Sequence, residues 1–329
     1  MTAIPEDLDF LVARVHGRRG RVAEAERLEA LCRLRSQAEL ARAVFPEAEF
    51  LGVSGFQRRL VQDWLKEMET WALGLNPPRS RMIQALADRL RVEDLKLRIR
   101  GKAAGLGPDA LREHLLSPRA NPAPSLDTPS ARILGAEDAV KGAEGAWPRA
   151  FLRETTLDRD HFRELLVALR GLDLQDRARI RALVLQEVDH FQLMLVVRGR
   201  FLHGLEAEHL RSWHIEGAGI TSERFAHMLA APELSQVVKL AVGFALDALP
   251  ERCEPSLLEA LAWGRFLRLA RRAYRQGPMD FGTLVGYAAL RRMEVANLIT
   301  LSEGIRLGIP GEILSARLIP RRGGEAACA

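Results

Sequence analysis

The sequence predicts an all-α protein, on three observations. Period-two alternation of β-branched and aromatic residues is scarce, and the 329 residues include only 2 Tyr and 12 Phe. Apolar residues instead return every three or four positions along most of the chain. One such helical segment occurs three times at similar spacing.

The elements follow in chain order. From Phe56, the residues Leu60, Trp64, Met68, Trp71 and Leu75 line one side of a helix, which Asn76-Pro77-Pro78 then stops. A second helix opens near Arg81 and carries Leu86, Leu90, Leu95 and Ile99, and Gly105-Leu106-Gly107-Pro108 closes it. Ser117 to Asp127 holds three prolines in eleven residues and reads as an exposed linker, hence a domain boundary. Asp176 is placed to cap a long helix through Ile180, Leu183, Val184, Val188, Phe191 and Leu195. From Arg321 onward the periodicity disappears and the chain reads as a frayed tail.

The recurring segment is first Arg91-Val-Glu-Asp94-Leu95, with Arg100-Gly101 and Gly105-Leu106 after it. It returns as Asp189-His-Phe-Gln192-Leu193, with Arg198-Gly199 and Gly204-Leu205, and again as Glu294-Val-Ala-Asn297-Leu298, with Glu303-Gly304 and Gly308-Ile309. Leu95, Leu193 and Leu298 stand 98 and then 105 residues apart, so each copy takes about a third of the chain and three similar helical units are predicted. We place them at residues 1–116, 117–219 and 220–329. In each copy the paired polar residues (Arg91 and Asp94, Asp189 and Gln192, Glu294 and Asn297) are three apart and share a helix face. Such faces in pseudo-symmetric units can line a common cavity. The plainer reading is that they cap neighbouring helices or sit on solvated surfaces.

Composition narrows the function. Apolar residues make up 47% and charged residues 28%, the balance of a chain that folds. The 48 Lys and Arg against 43 Asp and Glu leave a net charge of +5, weak grounds for nucleic acid. An arginine-rich surface suits carboxylates on a protein partner equally well. Cys32, Cys253 and Cys328 are scattered and form no Cys-x-x-Cys pair, which fits a reducing cytoplasm. The acidic start Met-Thr-Ala-Ile-Pro-Glu-Asp lacks the pattern of an export signal, and the longest apolar runs, such as Val237 to Leu246, are too short to cross a bilayer.

Catalytic signatures are missing. The chain has no Gly-x-x-x-x-Gly-Lys-Ser/Thr loop for nucleotide and no His-Glu-x-x-His. Glu187-x-x-His190 offers two ligands where a zinc site needs at least three, so no metal or cofactor is expected. His209 and His214 receive no catalytic role. Arg18-Arg19 and Arg271-Arg272 beside Tyr274 are small basic clusters without the interleaved aromatics of a single-strand binding surface.

The acidic-x-x-Asn-Leu-type segments resemble the C-type family of V-type/A-type rotary-ATPase subunits, whose eukaryotic counterpart is the d-type subunit. The fullest match runs from Gly286-Tyr287 through Glu294, Asn297-Leu298 and Gly304; Gln186-Glu187-Val188-Asp189, Ile215-Glu-Gly217-Ala-Gly219-Ile220 and the opening Phe10-Leu-Val-Ala-Arg14 are similar to other family segments. Arg91 departs from the usual acid, and Asp94 and Gln192 replace the Asn. The resemblance implies three V-shaped helical-bundle units arranged as a funnel, seated on a membrane ring of proteolipids and receiving the central axle. It implies a non-catalytic central-stalk rotor subunit of a V/A-type ATPase, cytoplasmic and peripheral to the membrane, linking ATP chemistry to H+ or Na+ transport. Its expected partners are the axle subunits and the proteolipid ring, with no direct nucleotide. Candidates for the axle or ring interface, or for polar contacts between helices, are Asp94, Glu187, Asp189, Gln192, Arg198, Glu294 and Asn297. The alternative reading is a helical-repeat scaffold that binds other proteins or nucleic acid.

Overall fold

The computed structural model describes residues 8–47, 49, 52–107, 109–111, 115, 146–277 and 279–320. The proline-rich stretch beyond Ser117, the start of the chain and the tail from Arg321 lie outside the described residues. Among those described, no β-strand forms; a single isolated bridge joins Val242 and Leu246. The chain divides into two compact units, Met1–Gln84 with Leu267–Ala329, and Ala85–Phe266.

The first unit holds α1 (Leu8–Arg19), α2 (Ala25–Cys32), α3 (Gln37–Val44), α4 (Gly52–Gly74) and the start of α5 (Pro77–Ala103). The second holds the rest of α5, then α6 (Ala146–Arg170), α7 (Leu174–Val196), α8 (Ala207–Arg211), α9 (Ser222–Ala230), α10 (Leu234–Ala241) and the first half of α11 (Pro255–Gln276). The end of α11, with α12 (Phe281–Arg306) and α13 (Gly311–Arg317), returns to the first unit.

In the first unit α12 is the central element. Phe281 to Leu290 are all buried, as befits a helix that is apolar all round. It packs on α4, α1 and α3. Trp64 on α4 donates its indole N–H to Ala288 O at 3.1 Å, and Trp71 lies against the Tyr287 ring. Gly286 allows the closest approach, because a Cβ there would fall 2.5 Å from Tyr274 N and 2.8 Å from Ala270 O on α11.

Two expected helix starts are corrected. Pro77 and Pro78 do not only stop α4; they open α5, where a missing N–H costs no intrahelical bond. Asn76 accepts at Oδ1 from Arg79 N at 3.1 Å and caps that start. Helix α7 is capped by Asp173, whose carboxylate accepts from the Asp176 N–H at 2.8 Å, so Asp176 sits inside the first turn.

In the second unit α7 packs on α6, α9 and α10. The core between them contains Leu193, Val197, Leu210, Ile220, Phe225 and Val238, each buried. Between α5 and α6, Val92, Ile99 and Leu157 form a buried apolar cluster, and charged pairs supplement it.

The three sequence copies end in the same local geometry. In α5 and α12 a left-handed glycine, Gly105 or Gly308, terminates the helix. The next N–H returns to the interior glycine: Leu106 N to Gly101 O at 2.9 Å and Ile309 N to Gly304 O at 2.9 Å. The glycine N–H groups bond to Lys102 O and Ile305 O, completing paired Schellman bonds. A leucine ten residues beyond each interior glycine then packs onto it. A Cβ on Gly101 would come 2.6 Å from Leu111, and one on Gly304 would overlap Leu314.

The middle copy carries one extra residue between its glycines, Gly199 and Gly204, and the extra residue is absorbed by a π-helical segment, Val197–Leu202. Gly204 is again left-handed, Leu205 N reaches Gly199 O at 2.8 Å, and Leu210 covers Gly199, with a Cβ there only 2.7 Å away.

Candidate functional site

Asp189 and Gln192, one helical turn apart on α7, converge on the turn Ile215–Ile220. Asp189 Oδ1 accepts from Ile220 N at 2.7 Å, and Gly219 N–H also bonds to this carboxylate. Gly219 must lack a side chain, since a Cβ would overlap the carboxylate. Gln192 is fully buried; its Oε1 accepts from Ile215 N at 3.3 Å and its Nε2 donates to Ile220 O at 3.4 Å. Burial pushes Asp189 up to about 6 despite the two backbone donors that favour its ionised form.

Glu294 and Asn297 hold the matching places on α12 and reach different segments. Glu294 Oε1 accepts from Ala23 N at 2.6 Å, and its other oxygen pairs with Arg291. Asn297 donates to Ile319 O at 2.9 Å and accepts from Ile319 N at 3.0 Å. Counting from the covering leucine, Ile319 stands where Ile215 stands, so Gln192 and Asn297 bind equivalent backbone N–H groups. In the first copy Asp94 is also buried, but Leu116, the counterpart of Ile215 and Ile319, lies outside the described residues. All six of Asp94, Glu187, Asp189, Gln192, Glu294 and Asn297 are withdrawn from solvent, so a solvated surface does not account for them. Arg198 differs: it is half-exposed and pairs with Glu259 at 2.8 Å.

Sequence reasoning missed three arrangements. Gln186 donates to Ala245 O at 2.9 Å and Ala262 O at 3.0 Å while accepting from Arg265 Nε at 2.6 Å, tying α7 to α11. Between α5 and α6, Asp158 meets Arg89 at 2.5 Å and Lys96 at 2.6 Å, and Glu93 bridges the same two cations. Burial opposes the Asp158 charge, yet the two cations outweigh it and hold its pKa below the ordinary carboxylate value. Arg89 and Lys96 are seven apart, two turns of one face; that spacing was the available signal.

The third is a cavity of about 680 Å³ in the first unit, lined by Arg14, Arg18, Lys66, Glu67, Arg291 and Glu294 among others. Glu67 binds Arg18 at 2.6 Å and faces Arg291 at 3.9 Å. Burial, with the Glu67 charge added, pushes the Tyr287 phenol up to about 12. His190, by contrast, is driven down to about 3 by burial and by the Arg198 and Arg89 charges; it is a neutral ring edge-on to Trp263. Among the described residues no three of His, Cys, Asp and Glu gather as a metal site, and no helix is long and apolar enough to cross a membrane.

The geometry defines, among the described residues, an all-helical fold in which Asp189, Gln192, Glu294 and Asn297 bond to backbone segments of the same chain. Residues 11–317 match the ATP synthase (C/AC39) subunit family, and the chain belongs to that family. It is thus a V/A-type ATPase subunit. No curated protein matches the chain.

Proposed function

We propose that this chain is the non-catalytic central-stalk subunit of its ATPase, coupling the axle to the proteolipid ring on the cytoplasmic face for ion transport. The observation that carries the reading is the family match over almost the whole chain, joined to a helix end built three times with the same glycine–leucine closure. That recurrence supports three related units; their boundaries near residues 116 and 219 and their arrangement as a funnel are part of the proposal and follow from the family resemblance.

A torque-transmitting part needs shape that holds under load more than reactive groups, and dense packing resists deformation. Gln192, Asn297, Asp189 and Glu294 support this by pinning turns to long helices. We assign Asp94, Glu187, Asp189, Gln192, Glu294 and Asn297 to inter-helix bracing, and leave the half-exposed Arg198 as the member suited to meeting the axle or ring.

The test is reconstitution. Purified axle subunits and proteolipid ring should each bind the chain saturably, and omitting it should abolish ATP-driven ion transport while ATP hydrolysis by the catalytic head persists. Absence of binding to both, or substrate turnover by the isolated chain, would overturn the assignment.

A further inference from the structure

We propose that the cavity of the first unit, walled by α1, α2, α4 and α12, binds a small molecule bearing a diphosphate. This goes beyond the rotor assignment and does not depend on it.

The charges that line this cavity do not balance. Its two buried carboxylates are matched within the chain: Glu67 pairs with Arg18 at 2.6 Å, and Glu294 pairs with Arg291. The exposed Asp63 meets Arg59, which is outside the lining, at 4.0 Å. Arg14 lies over the Phe10 ring at 5.6 Å. Arg21, Arg27 and Lys66 also line the cavity, and none of these three forms a salt bridge among the described residues. Like charges gathered around one recess repel one another, and a bound anion relieves that repulsion.

The fold holds the donors in place. Glu294 Oε1 accepts from Ala23 N at 2.6 Å and Arg21 N donates to Arg18 O at 2.9 Å, which together fix the turn that carries Arg21. The Arg27 guanidinium donates to Arg21 O and ties α2 to the same turn. Tyr287 of α12 also lines the cavity and is only 2% exposed. Its phenol stands among the charges of Glu67, Arg291 and Arg18 and has no hydrogen-bond partner among the described residues. Buried hydroxyls are normally hydrogen-bonded, so this one is available to a group that the cavity admits.

Three features favour a diphosphate. The cavity, about 680 Å³, has the size of a small-molecule site. One phosphoryl group brings a charge of about −1.5 to −2 at pH 7, so two of them match the cations Arg21, Arg27 and Lys66. A lysine point charge, two arginine forks and a phenol arrive from different elements, and tetrahedral phosphoryl groups accept from several directions where a planar carboxylate does not. Val44, Leu60 and Leu298 add an apolar wall against which an organic substituent can lie.

The experiment titrates the full chain with inorganic diphosphate and reads binding by calorimetry. Saturable binding at one site per chain, weakened by salt and several-fold tighter than that of orthophosphate, is expected. The R21Q/K66Q variant changes two exposed side chains and should lose about tenfold or more in affinity. K239Q, which removes an exposed lysine of the second unit, should bind as wild type does. Y287F should lose about tenfold with its melting temperature unchanged, since the phenol bonds to nothing in the chain; if circular dichroism finds it unfolded, R21Q/K66Q decides. Isopentenyl diphosphate, run in parallel, separates the sources: tighter binding than inorganic diphosphate assigns an organic ester, weaker binding the free anion, and either supports the site. The proposal fails if neither diphosphate saturates, if orthophosphate or sulfate binds as tightly, or if R21Q/K66Q or folded Y287F binds as wild type does. It also fails if K239Q loses as much as R21Q/K66Q, or if a polyglutamate peptide binds more tightly through Arg21 and Lys66, which would make the cavity a protein-docking site.

Discussion

The Asn297 carboxamide closes both hydrogen bonds of the Ile319 backbone, donating to its oxygen at 2.9 Å and accepting from its nitrogen at 3.0 Å. The amide supplies both groups, whereas an ionised carboxylate has no donor and an aliphatic side chain has neither. We therefore predict that Asn297→Asp destabilises the chain by about 1–3 kcal/mol at neutral pH, through an unmet carbonyl and a buried charge. Urea unfolding of the two proteins measures this, and equal midpoints would refute it.

Asp189 should make stability fall as pH rises from about 4 to about 6. Its folded pKa is raised by burial to about 6 from an ordinary 3.8. The folded state therefore holds the proton more tightly than the unfolded chain. The resulting stabilisation is full below the unfolded value and is lost as pH passes the folded one. In Asp189→Asn this slope should vanish, leaving only a constant offset. The wild-type minus variant difference, taken from denaturation at several pH values, is the readout; a flat difference rejects the assignment.

Asp158 should act with the opposite sign. Its pKa is lowered in the folded state, so it contributes stability above the ordinary carboxylate range that disappears as pH falls through the folded value. Asp158→Ala removes the more buried of the two carboxylates that Arg89 and Lys96 share and should cost about 3–5 kcal/mol at pH 7. A loss below about 1 kcal/mol would mean that Glu93 alone satisfies both cations.

Two glycines on helices should respond oppositely to alanine. At Gly286 the added carbon meets α11 backbone, which cannot rotate away, and the cost should be about 1–3 kcal/mol or more. At Gly17 on α1 nothing lies within 4 Å, so alanine should stabilise by up to ~1 kcal/mol through helix propensity. Melting temperatures moving the same way in both variants would contradict the packing described.

The π-helical segment predicts an unusual tolerance. Deleting Leu202, an exposed residue of that segment, gives the middle copy the four-residue glycine spacing of the other two. The helix end can then close as a regular Schellman turn. Deleting Ser302 from α12 instead rotates everything after it by about 100°. Thermal unfolding should find the first deletion much the milder; equal damage would argue against a one-residue insertion.

Much of this was legible in the chain itself. Helical period, the glycines that end α5, α7 and α12, and the threefold recurrence depend on interactions within a few residues, so the sequence alone determined them. Even the extra residue between Gly199 and Gly204 can be counted there, although its absorption as a π-helical segment depends on Leu210 keeping its seat on Gly199.

Only the tertiary structure decided what the polar residues of the repeat touch. Asp189 binds a backbone 31 residues away and Glu294 one 271 residues away, and nothing local to either residue names such a partner. Likewise, the approach of Arg19 to Tyr274 follows from α1 and α11 meeting at Tyr274 and His16. Short-range hydrogen bonding and backbone conformation are written in neighbouring residues; long-range pairing is set by how whole apolar faces pack, and so emerges only when the chain is folded.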